Sequence, residues 1–245
     1  MAKEKIIDSI RKLLLFFLTV LSAAFAAYLY QKTVYEIAET VVFTSIAAGG
    51  MLFQMAEKEH TENTGRFFLL YLLFLILSVF FPLIPEGGYP YLAVFTGLML
   101  FSDRMTAMSA GSTLLLISVL LCSDGDAVLF IMYFVIGMVG VYLFDGLDES
   151  FQVGRPLLCS LLLQFVCLSV WEILLANDGF SMEMLIVPAF NTLVSLILMV
   201  ILLKLFSLSI IYRTRAAYMG VNDPECPLLV RLKEQSSEES FHAIP

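Results

Sequence analysis

The chain has 245 residues, 60% of them hydrophobic and 15% charged, with a mean hydropathy of +0.89. Such values lie far outside ordinary globular usage and define an integral membrane protein. A net charge of −8, with no basic cluster interleaved with aromatics, argues against nucleic acid as a partner and leaves membrane lipids as the principal surroundings.

The N-terminal stretch MAKEKIIDSIRK puts Lys3, Lys5, Arg11 and Lys12 directly before an apolar run at 13–30 that is long enough to span a bilayer. Ala24-Phe25-Ala26 has the form of a signal-peptide cleavage site, but apolar residues continue to Tyr30 and the run is read as a retained helix. A second segment, 37–55, is less apolar, with Glu36 and Glu39 at its mouth and Gly49-Gly50 inside. The polar loop EKEHTENTGR leads to 67–81, and the turn PLIPEGGYP to a short segment at 89–102. After SDR the chain returns through 105–122; SDGD precedes 127–144, DGLDESFQVGR precedes 156–176, and NDGFSME introduces 184–206. The expected fold class is therefore all-α integral membrane, a polytopic helical bundle of about eight transmembrane helices. Small residues at i, i+4 predict close helix approach within it: Ser22 with Ala26, Ala23 with Ala27, Ser45 with Gly49 and Ala107 with Gly111.

Basic residues orient the bundle, because loops rich in Lys and Arg stay in the cytoplasm. With eight crossings and the N-terminus inside, every one of the 14 basic residues except Lys32 falls on the cytoplasmic side. Removing the weak second crossing would set Lys3, Lys5, Arg11 and Lys12 against all the others. A hairpin dipping in and out between 91 and 122 would strand Arg104 near mid-membrane, so two tilted, closely paired helices are expected there. Both termini are then cytoplasmic, and 212–245 form a cytoplasmic tail.

Catalytic parts are scarce. His60 lies in the polar loop and His242 near the end, and no HExxH, GxSxG, P-loop or GxGxxG occurs. The cysteines at 122, 159, 167 and 226 form no CxxC pair, so they read as buried apolar thiols rather than a zinc or disulfide framework. No cofactor is expected. Asp145, Asp148 and Glu149 share one loop and read as a solvated face rather than an acid–base pair.

Polar groups within the apolar runs carry more information, since unpaired they are costly in a bilayer. Glu172 lies about four residues from the outer end of its segment, roughly 6 Å deep, and Asn191 about seven residues in, roughly 10 Å deep. Gln164 lies two steps of four from Glu172, on nearly the same face. These positions define a candidate outward-facing pocket of Glu39, Glu172, Asn191 and Gln164, suited to a cation or small polar ligand. The competing reading is interfacial wetting plus an interhelical hydrogen bond. Pro188, one turn into the last segment, is a candidate hinge or static bend.

The tail VNDPECPLLVRLKEQSSEESFHAIP resembles the junction found in bacterial seven-transmembrane receptors with an intracellular HD-type phosphohydrolase domain, the group that includes cyclic-di-AMP phosphodiesterases. That family follows its last span with N-H-P-L-L-x-R-L and, further on, T-Y-H-H-S. Here Pro227-Leu228-Leu229-Val230-Arg231-Leu232 keeps the core, Cys226 stands in place of the His, and Phe241 and His242 fall on the two later histidines. GYPYLAVFTGLMLFSDRMTAM and KLFSLSI are similar to the family's short span with its tight turn and to the end of its final helix. The resemblance implies one N-terminal helix, a seven-span unit and a receptor role. The six residues 31–36 stand where the family has a large extracellular domain, and the His and Asp set of an HD metal site does not follow the tail motif. Phosphodiesterase activity is accordingly not expected of these residues.

Two functions follow as expectations. One is a non-catalytic signalling or scaffolding protein that acts on a protein partner through its tail, where Pro227, Leu228, Leu229 and Leu232 would form a docking stub. The other is a small solute transporter or solute-binding subunit using the outer polar pocket, against which stand the lack of an inverted repeat and the few midplane charges.

Overall fold

The computed structural model describes residues 2–57, 64–122, 127–145, 153–175 and 181–221. Among them every regular element is helical: α1 (Ala2–Leu29), α2 (Val34–Glu57), α3 (Thr64–Phe80), α4 (Tyr91–Phe101), α5 (Arg104–Leu121), α6 (Ala127–Phe144), α7 (Gly154–Leu175) and α8 (Ile186–Val221), with short 3₁₀ turns at Phe81–Leu83, Glu86–Gly88 and Met182–Leu185. The fold is an all-α polytopic membrane bundle. Seven of these helices are long and apolar enough to cross a bilayer; α4, with 11 residues, is not. By its internal contacts the chain divides into two units, residues 1–201, which hold the bundle from α1 to the first half of α8, and residues 202–245. Of the second unit, the described part is the continuation of α8 to Val221; the candidate tail residues Pro227, Leu228, Leu229 and Leu232 lie outside the described residues, as do His60, Asp148, Glu149 and His242.

Helix ends follow local chemistry. Gln31, at φ 56°, turns the chain after α1, and the Lys32 amide closes onto the Ala27 carbonyl at 3.1 Å. The next helix starts in a capping box: the Thr33 amide donates to Glu36 Oε2 at 2.7 Å and the Glu36 amide reaches back to Thr33 Oγ1 at 3.4 Å. Asp103 caps α5 by accepting from the amides of Met105 and Thr106.

The two ends of the bundle are pinned differently. At one, Lys12 Nζ donates to the Met55 carbonyl at 2.8 Å, and Arg104 pairs with Asp145 while lying 4.8 Å over the Tyr142 ring. At the other, Tyr30 donates to the Val79 carbonyl at 2.8 Å and Lys32 to the Cys122 carbonyl at 2.5 Å.

The segment expected as a helix at 89–102 is α4, and the stretch that leads into it has its own construction. Ser118 on α5 donates to Ser78 near the end of α3 at 2.7 Å, so α3 finishes at the Cys122 end. From there α4 runs antiparallel to α5 and finishes beside Arg104. Residues 81–101 thus carry the chain from end to end as two 3₁₀ turns, an extended stretch and a helix only about 16 Å long. Main chain that is neither helical nor in a closed sheet survives at membrane depth only when buried in protein, and residues 87–98 are all buried. The helices α3, α5, α6 and α7 enclose α4. Its Phe95 ring fills the space over Gly111 and Gly137, where a Cβ would collide with it.

Pro188, read as a hinge or static bend, lies at the start of a helix. Because α8 begins at Ile186, the proline occupies the first turn, where its missing amide hydrogen had no partner within the helix. The irregularity lies just ahead, in the 3₁₀ turn Met182–Leu185.

Candidate functional site

Helical periodicity turns one face of α7 inward: Ser160, Gln164, Leu168 and Trp171 are all buried, at steps of four, four and three. On α8 the inward seam within unit 1 is Pro188, Asn191, Ser195 and Met199, flanked by the exposed Phe190, Leu193 and Ile197. Gln164 and Asn191, both 0% exposed, meet where these faces converge. Gln164 Nε2 donates to Asn191 Oδ1 at 2.9 Å and to Ser195 Oγ at 3.0 Å. The Ser195 hydroxyl donates to Asn191 Oδ1 at 3.3 Å.

The other half of the Asn191 amide reads the broken span. Its Nδ2 donates to the Gly87 carbonyl at 2.7 Å and the Tyr89 carbonyl at 3.1 Å, with the Tyr133 hydroxyl 3.4 Å away. Tyr133 in turn donates to the Glu86 carbonyl at 2.7 Å and accepts from the Tyr89 amide at 3.1 Å. Around the turn stands an aromatic nest in which Tyr89 stacks between Phe81 and Tyr133, with centroids at 5.9 and 5.7 Å, and Tyr91 meets Phe81 edge-on at 5.3 Å. Each buried phenol has a partner: Tyr89 the Cys122 thiol, Tyr91 the Leu114 carbonyl and Ser118. The non-helical main chain is therefore partnered by side chains from α6 and α8 as well as by its own turns.

Comparison with protein-family models, with curated proteins and with solved structures gives no match. The geometry itself divides the candidate pocket. Glu172 joins the site, since its Oε1 lies where a Cβ on residue 87 would stand, and Glu86 brings a second carboxylate within electrostatic reach. Glu172 and Asn191 thus converge on the same glycine, one against its α-carbon and one on its carbonyl. Glu39 is not brought to them: it is exposed on α2, a helix that packs on α1 and α5. Among the described residues no group of three His, Cys, Asp or Glu side chains is placed to hold a metal.

Four contributors escape the sequence reading: Gly87, Tyr89, Tyr133 and Ser195. The signal for Ser195 was present, four residues after Asn191 on the same face. The signal for the turn was hidden, because PEGGYP has the composition of a solvated loop. Gln164 Oε1 is the remaining feature, buried and without a hydrogen-bond partner.

Proposed function

We propose that this chain is the membrane-embedded sensing and relay part of a signalling system, related to the seven-transmembrane HD-type receptors, which acts by protein contact through its tail and carries no phosphodiesterase chemistry in these residues. Both termini are placed in the cytoplasm, as the distribution of basic residues implies. The observation that supports this most is the continuity of α8. The helix that holds Asn191 on the Gly87 turn passes the end of the apolar stretch at Ser207 and continues to Val221, the residue that opens the tail motif. A change at the turn is thereby linked through one helix to the segment leading to the docking stub.

A chimera tests this. An HD-type phosphodiesterase domain is joined after Pro245, and hydrolysis of cyclic-di-AMP is measured in membranes with and without Asn191→Leu. The expected result is a several-fold change in rate, with the detached domain unaffected; equal rates in two well-folded chimeras would remove the relay.

One observation favours solute transport instead: a discontinuous span whose unwound backbone meets Glu172 and Asn191 is the kind of element from which transporter sites are built. Uptake of cationic or polar solutes into vesicles, abolished by Glu172→Gln, would decide for that reading.

A further inference from the structure

Gln164 and Asn191 form half of a cyclic amide pair. Gln164 Nε2 already donates to Asn191 Oδ1 at 2.9 Å. The reciprocal bond, from Asn191 Nδ2 to Gln164 Oε1, is not made, and Gln164 Oε1 is a fully buried acceptor with no partner. Exchanging the two ends of the Gln164 amide gives no relief. Asn191 must present Nδ2 to the Gly87 and Tyr89 carbonyls, so its oxygen faces Gln164 and requires a donor there. The missing bond and the bonds to the turn draw on the same Nδ2 group.

We propose that the Asn191 side chain is a two-position latch: in the position seen here it ties α8 to the Gly87 turn of the broken span, and in the other it closes the reciprocal amide pair with Gln164 and releases that turn. The exchange is one bond short of even, which makes the released position the minor one. Two donor bonds to main-chain carbonyls are given up, one bond to a buried orphan acceptor is gained, and Tyr89 O keeps the Tyr91 amide, which donates to it at 2.8 Å. The Gly87 carbonyl is the group set free. Residues 186–201 of α8 are suited to such a part, since they approach the backbone of the rest of the unit at few points and their flanks are apolar side chains facing outward. Lipid solvates those flanks as well as protein does, so the polar contacts decide where the helix rests. The latch is a property of this chain alone, and its test needs no signalling readout.

The test is amide hydrogen exchange at Gly88 and Tyr89 in the full chain, in lipid nanodiscs. If Gln164 serves only as packing and glue, replacing it loosens the node and these amides exchange faster. The latch predicts the opposite sign. Gln164→Leu removes the acceptor that stabilises the released position, so exchange at Tyr89 should slow by at least about five-fold, while Asn191→Asp, which lacks the donating amide, should accelerate it. Faster exchange in Gln164→Leu would overturn the latch. Gln164→Met carries the same comparison where Leu fails to fold. In the unsubstituted chain Tyr89 should exchange through a local opening insensitive to low denaturant; exchange solely by global unfolding would overturn the proposal independently.

Discussion

Both hydrogens of the Asn191 amide go to main-chain carbonyls while its oxygen accepts from Gln164, and only a neutral amide can do both at once. Asn191→Leu leaves the Gly87 carbonyl without its partner and the Gln164 amide with only its bond to Ser195, and should lower stability by about 1–3 kcal/mol, read as an earlier transition in detergent denaturation. Asn191→Asp, nearly identical in shape, should be at least as harmful, because its oxygens would face the two carbonyls; a mild Asp variant beside a severe Leu variant would show that shape rather than bonding matters. Tyr133→Phe, which removes the donor to Glu86 O and the acceptor for the Tyr89 amide, should cost about 1 kcal/mol in the same assay. At this scale Gln164, Glu172 and Asn191 were legible, since a polar residue in an apolar run needs a partner and helical spacing indicates the face. Glu39 shows where that reasoning stops. Depth along the membrane normal can be counted along a sequence, but position around the bundle depends on which helices pack together, and α2 packs on α1 and α5.

The short helix α4 owes its position to small residues on its neighbours. A Cβ at Gly111 would stand 2.6 Å from the Phe95 ring, and one at Gly137 would strike the same ring, so Phe95 cannot yield to one glycine by moving toward the other. Gly111→Ala should therefore destabilise the bundle by about 1–3 kcal/mol through overpacking, with partial recovery when Phe95→Leu is added. The recovery is a coupling between the two sites, which additive losses would refute. Gly49→Ala supplies the contrast: nothing lies within 4 Å of a Cβ there, so the substitution should be neutral or slightly stabilising, by up to about 1 kcal/mol from helix propensity. Of the small-residue pairs read from the sequence, Ala107 with Gly111 marks a true approach and Ser45 with Gly49 does not. Spacing places small residues on one face but does not say whether a helix stands opposite. The broken construction of 81–101 was hidden for a related reason. The turn is held inside by Tyr133 and Asn191, 44 and 102 residues from Tyr89, and no local pattern announces partners so distant in sequence.

For the molecule as a whole, the basic residues and the broken span can be tested against each other. If residues 81–101 cross from the Cys122 end to the Arg104 end, eight crossings follow by count, and by the parity of those crossings the chain after the last apolar stretch falls on the side opposite Lys32. If that segment only dips and returns, every helix from α5 onward inverts and the two positions share a side. Within the bundle the hydrogen bonds carry this segment from one end to the other: α3 ends where Ser118 reaches Ser78, whereas α4 ends two residues before the Asp103 cap of α5. In a chain whose four cysteines are replaced by serine, Val34→Cys should react with a membrane-impermeant maleimide in intact cells. Thr214→Cys should react only after the membrane is opened. Labelling of both from outside would leave the broken span as a re-entrant loop and place Arg104 and Asp145 on the outer surface. It would also put the tail motif where no cytoplasmic partner can reach it, so that the relay through α8 would fail even if every contact around Asn191 were correct.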